Sequence, residues 1–131
     1  MQTGYQTLLA FRVGSRLFAV DESKVATVAN WREPTPLPHA PPAVMGVVSL
    51  QGRMLTVLDL RKLRDTETAG NGTPEHLIAL RGDEQLALAV DAIEGSIESS
   101  EDRDSSQVEV LNVSALFSSA IQGRERRKRQ F

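Results

Sequence analysis

The stretch Met45–Leu60, MGVVSLQGRMLTVLDL, constrains this chain more than any other. Two apolar runs, Val47–Leu50 and Met54–Leu58, flank Gln51-Gly52, the pattern of a β-hairpin with a two-residue turn. Gly52 supplies the positive φ that such turns demand, and the β-branched residues around it suit pleated strands. A turn at Gln51-Gly52 sets Leu50 opposite Arg53, Val48 opposite Leu55 and Gly46 opposite Val57. A glycine facing a valine leaves room for another backbone, so Gly46 marks an expected crossing point. Both faces of the hairpin read as buried.

Its 131 residues make one domain, long enough to remove roughly two-thirds of the extended-chain surface from water. With 40% hydrophobic and 24% charged residues, the composition is that of a folded globular protein. The absence of cysteine excludes disulfides, thiolate metal sites and cysteine nucleophiles. No apolar run approaches the ~20 residues needed to cross a bilayer, and the N-terminus lacks the basic-then-apolar order of a signal peptide, so the expectation is a soluble, cytoplasmic protein. The formal charge of −2 hides an asymmetry: residues 124–129 hold five cations and one acid, and the rest of the chain is acidic. An acidic body offers no broad basic surface to nucleic acid.

From Leu8 the pattern is strand-like, with Leu9, Phe11 and Val13 on one face, a turn at Gly14-Ser15 and a return along Leu17–Val20. Asp21-Glu22-Ser23 can cap a single helical turn before a short strand at Val25–Val28. Five of the six prolines lie between Glu33 and Pro42, which predicts a stiff connecting loop. Asp59–Leu63 reads as a short helical turn and Arg64–Glu75 as an exposed linker. A third hairpin joins His76–Leu80 to Gln85–Val90, with Leu86, Leu88 and Val90 forming the strongly apolar face. Ala92–Ile97 can continue extended, Glu98–Gln107 is polar loop, Val108–Val113 is a last strand, and Ser114 is the expected N-cap of a helix that frays into the basic tail 124–131. Strands of about five residues with glycine turns predict an all-β domain, one small barrel from each of the halves 8–63 and 76–117.

No arrangement of residues points to catalysis. His39 sits among prolines, His76 opens a strand, and neither stands at a meaningful spacing from Ser or Asp; both read as exposed. Asp59 and Asp91 each end an apolar strand, where a carboxylate can cap the following turn. Two isolated histidines and scattered acids provide no metal cluster, and no glycine-rich turn forms a phosphate fingerprint. No catalytic residue, metal site or cofactor is expected. Trp31, the one tryptophan, reads first as a packing plug between loop and barrel and second as a partner anchor. The basic tail reads as a solvated terminus, with attraction to an anionic surface as the alternative.

Several motifs, in order and spacing, resemble the CheW-like family, the adaptor domain of bacterial chemotaxis-type signalling. Phe11-Arg-Val-Gly14 and Phe18-Ala-Val-Asp21 match its opening, Val44-Met-Gly-Val-Val-Ser-Leu-Gln-Gly52 and Leu55-Thr-Val-Leu-Asp-Leu-Arg61 its central hairpin, and Leu88-Ala-Val-Asp91 its later strand. The resemblance implies two packed SH3-like five-stranded β-barrels with a short C-terminal helix, no enzymatic activity, and a scaffold that couples the cytoplasmic tip of a chemoreceptor to the regulatory domain of a histidine kinase. It places Val25 and Thr27 near a kinase-facing edge, and Val44, Val47, Val48, Leu50 and Gln51 near a receptor groove. It implies membrane association only through receptors, while the acidic body and the lack of a long apolar run lead to the expectation of no nucleic-acid partner and no direct membrane insertion. Three departures stand out. Gln51 replaces the family's arginine, Thr27 a frequent glutamate, and the segment before the last strand has shrunk to Glu98–Gln107, so the second barrel is expected to be incomplete. Open edges left in that way could be covered by self-association, and a homo-oligomeric structural module that has lost kinase coupling is the alternative function.

Overall fold

In the computed structural model the described residues are 6–63, 73–99 and 108–128, with backbone alone for Ser99 and residues 121–128. Nine strands form two sheets. The strands are β1 (Gln6–Val13), β2 (Arg16–Asp21), β3 (Val25–Asn30), β4 (Val44–Leu50), β5 (Arg53–Asp59), β6 (His76–Leu80), β7 (Leu86–Val90), β8 (Ala92–Ser99) and β9 (Val108–Val110). Two helices, α1 (Leu60–Leu63) and α2 (Val113–Lys128), complete the described residues together with a single 3-10 turn at Glu22–Lys24.

The hairpins form where local sequence predicts them. Leu50 pairs with Arg53, Val48 with Leu55 and Gly46 with Val57, and both turn residues take positive φ, 52° at Gln51 and 78° at Gly52. The Asp21 carboxylate accepts from the Ser23 N–H at 3.0 Å and starts the 3-10 turn. Asp59 accepts from the Arg61 N–H at 3.0 Å and caps α1.

The sheets do not follow the division of the chain at residues 63 and 76. One sheet runs β8-β1-β2-β9 and the other β3-β6-β7-β5-β4, so each takes strands from both halves. Two of the joins are parallel, β5 with β7 and β2 with β9, and bring together segments distant in sequence. The five-stranded sheet buries both faces. Ile78, Leu80, Leu86, Leu88 and Val90 pack against Leu9, Phe11, Val13, Phe18 and Val20 of the four-stranded sheet, joined by Leu116 and Ala120 of α2. Val48, Leu50, Leu55, Val57, Leu77, Ala79, Ala87 and Ala89 fill a second core on its other face. Ala87 and Ala89, the weaker face of the sequence pattern, are thus buried like Leu86 and Leu88 beside them. Phe11 and Phe18 stack across the β1–β2 pair with ring centroids 6.0 Å apart.

Residues 31–35 close the five-stranded sheet into a ring. Beyond β3, one edge of that sheet, the chain passes Trp31 and bridges β4, the other edge: Thr35 N–H donates to Val47 O at 2.8 Å, and Val47 N–H to Thr35 O at 2.9 Å. Gly46 permits the crossing. Its φ is +144°, and an added Cβ would overlap the Thr35 carbonyl, lying 2.7 Å from its carbon and 3.1 Å from Pro34 Cβ.

The C-terminal part departs from expectation. Glu98 belongs to β8, opposite Thr7, and not to the polar loop. The last strand is only Val108–Val110, and α2 starts at Val113, where the Asn112 side chain, not that of Ser114, accepts from the Ala115 N–H at 3.2 Å. The helix runs through Lys128, so most of the basic run is helical. Most of the linker expected at Arg64–Glu75, residues 100–107 of the polar loop and the end of the tail lie outside the described residues. Among the described residues, no helix is long and apolar enough to cross a membrane.

Candidate functional site

The residues expected at the receptor groove do not share a face. Val48 and Leu50 are 5% and 6% exposed and point into the second core, while Val44 packs against the core between the sheets. Gln51 is exposed at the hairpin tip, and Val47 is half-buried on the outer side of β4. Val47 and the rim of Val48 line a shallow depression of about 330 Å³ together with Arg32, Glu33, Thr35, Ser49 and Met54. At its rim the Arg32 guanidinium donates to Ser49 O at 2.8 Å. Met54 is 57% exposed. The expectation that both hairpin faces are buried therefore fails on this side: the register sets Met54 opposite exposed Ser49, away from Val48 and Leu55.

Val25 and Thr27 sit on β3 at the edge of the five-stranded sheet, paired to Leu80 and Ala79 with an irregular register between them. Val25 leans on the inter-sheet core, Thr27 is half-buried, and the next residue, Val28, is exposed. Trp31 is half-buried against the second core, and its backbone N–H donates to Glu75 O at 3.0 Å. The packing role expected of it is the one its surroundings support.

Asp91 does something that strand-end logic did not anticipate. Instead of capping its own turn, it accepts from the Gly14 N–H at 2.6 Å and from the Arg61 guanidinium at 3.1 Å. Standing directly after β7, it fastens the β1–β2 turn of one sheet to α1 beneath the other. This clasp and the shared apolar core hold the two sheets in one arrangement. His39 is exposed, whereas His76 is half-buried in β6 and not exposed as expected. Among the described residues, no group of three or more His, Asp or Glu side chains could hold a metal ion. The arrangement offers a half-apolar strand edge and a shallow, partly apolar depression with one cation and one anion at its rim.

The model of the CheW-like domain family matches residues 7–127. This chain belongs to that family. It is 35% identical over 95 residues to the chemotaxis protein CheW of Rhizobium meliloti (strain 1021), covering 71% of this chain and 61% of the relative. It is 30% identical over 95 residues to the probable chemotaxis protein CheW of Rhizobium etli (strain ATCC 51251 / DSM 11541 / JCM 21823 / NBRC 15573 / CFN 42), with the same coverage. The chain therefore spans somewhat less than two-thirds of the length of these relatives. The crystal structure of the scaffolding protein TtCheW from Thermoanaerobacter tengcongensis aligns with a TM-score of 0.66 at 24% identity, covering 74% of this chain and 67% of that one. The CheW-like fold is a pair of SH3-like barrels, and the two sheets described above are its counterparts here.

Proposed function

We propose that this CheW-like domain is a non-catalytic adaptor in chemotaxis-type signal transduction, linking the cytoplasmic tip of a chemoreceptor to the regulatory domain of a histidine kinase. The observation that carries this reading is the family match across residues 7–127. The names of the relatives support the pathway. The surfaces support the mode of action, because strand edges and small apolar depressions suit stable but regulated contacts between proteins.

On this reading the kinase contact uses the β3 edge around Val25 and Thr27, with Val28 as its exposed apolar residue. The receptor contact uses the outer side of the β4–β5 hairpin, where Val47 and Met54 provide the apolar floor, Arg32 and Glu33 the charged rim, and Gln51 the tip. Val44, Val48 and Leu50 hold that surface in shape from beneath. The domain works in the cytoplasm, reaches the membrane only through its receptor, and needs no cofactor.

Val28→Glu and Met54→Glu test the assignment, since both side chains are exposed and their replacement leaves the cores intact. In titrations against the kinase regulatory domain and a receptor-tip fragment, Val28→Glu should weaken only the kinase contact, and Met54→Glu only the receptor contact. Undiminished binding by both variants would refute the assigned faces. Failure of the unaltered chain to bind either partner would refute the adaptor reading.

A further inference from the structure

The four-stranded sheet is one strand short of its neighbour, and among the described residues nothing pairs with the outer side of β8. Local geometry tells which backbone groups are left there. Asp91 N–H donates to Arg12 O at 2.9 Å, so the backbone of Arg12 faces the β8 side. Alternation along β1 then turns Ala10, Leu8 and Gln6 the same way, toward Gly95, Ile97 and Ser99. The N–H and C=O groups of Ser96 and Glu98 consequently point outward.

We propose that β8 pairs antiparallel with β8 of a second copy, about a two-fold axis through Ile97. The segment is self-complementary in this register. Ser96 of each copy meets Glu98 of the other, which satisfies both outward residues of each strand with four backbone hydrogen bonds. Half-buried Ile97 meets its own equivalent in the closely spaced type of antiparallel pair, a favourable contact for a β-branched side chain. Charge selects the register: centring the pair on Ser96 would bring Glu94 toward Glu98 of the other copy, and like charges directly opposed are unfavourable. The irregular pairing at Gly95, with φ +115°, limits the ladder to the end of the strand. A ladder this short falls well below the ~800 Å² per partner of a standard interface, so the dimer is weak and concentration-dependent. The isologous pair makes the two four-stranded sheets one continuous sheet, and it is independent of the adaptor reading.

Sedimentation velocity of the full chain from about 10 µM to about 1 mM should show a monomer passing to a dimer, with slower amide exchange at Ser96 and Glu98 as concentration rises. Glu98→Pro removes one outward N–H without touching the bonds to β1 and should lower the association constant at least tenfold. Ile97→Lys, which sets two like charges together at the axis, should do the same. A monomer at every concentration would overturn the proposal, and so would a dimer that both variants leave intact.

Discussion

The two strands β4 and β8 both stand at the end of a sheet, yet they meet solvent differently. The outer side of β4 is covered by the chain itself, with Thr35 bonded to Val47 in both directions and the Arg32 side chain on Ser49 O. The outer side of β8 has no such cover among the described residues. An uncovered edge is a template for another strand, and proteins commonly block such edges with charge, distortion or a covering segment. Here the five-stranded sheet uses a covering segment, stiffened by prolines and admitted by a missing Cβ at Gly46. Among the described residues, the β8 edge of the four-stranded sheet has a bulge and two glutamates. The β4 edge is thereby closed within the molecule, whereas the β8 edge is the one we propose to pair with a second copy.

Gly46→Val is the strongest way to break this contrast. The new side chain collides with the Thr35 backbone at a φ of +144°, so the covering segment must lift off and β4 becomes an edge like β8. Strain and overpacking together predict a loss of about 5 kcal/mol, read as a shifted urea midpoint or as failure to fold. Phe18→Ala tests the opposite side of the comparison, the core that the two sheets share. A cavity beneath Phe11 should cost about 4 kcal/mol and leave a single unfolding transition, because the four-stranded sheet has no other core among the described residues. Two separated transitions would show that the sheets stand alone.

Asp91→Asn loosens the clasp. The Gly14 N–H keeps an acceptor, but the charge opposite Arg61 is lost at a site about one-quarter exposed. The expected cost is about 1 kcal/mol, with faster amide exchange at Gly14 and in α1. The smallest effect is at Asp21, whose carboxyl is held below the ordinary carboxylate range, chiefly by the Ser23 N–H and then by the Ser23 hydroxyl. A lowered folded-state pKa stabilises the fold above the unfolded value of about 3.9, and that contribution disappears as pH falls through the folded value. Asp21→Ala should therefore be slightly less stable than the parent at pH 7, with the difference vanishing in acid below about pH 4. A difference independent of pH would assign the effect to packing.

The parts of this architecture that were legible in the sequence are the local ones. The hairpin register around Gln51-Gly52, the glycine crossing at Gly46 and the caps at Asp21 and Asp59 follow from turn chemistry and alternation within a few residues. The assembly of strands into sheets was not legible. Period-two patterns say which face of a strand is buried but not which strand lies beside it, so β5 beside β7 and β2 beside β9 could not be read from residues 8–63 and 76–117 taken separately. For the same reason Val48 and Leu50 carried the family's signature without revealing that they point inward, whereas Met54 and Arg32, which carry no motif, line the surface. Asp91 was misread because its main acceptor duty lies 77 residues away, at Gly14.

The contrast between the two edges is most directly measured by residue-resolved amide hydrogen exchange in dilute solution, where a weak dimer is dissociated. Val47, bonded to Thr35 across the ring closure, should be protected as strongly as the interior strand β7, while Ser96 and Glu98 should exchange at close to the rate of an unstructured chain. Comparable protection at Val47 and at Ser96 and Glu98 would contradict the account.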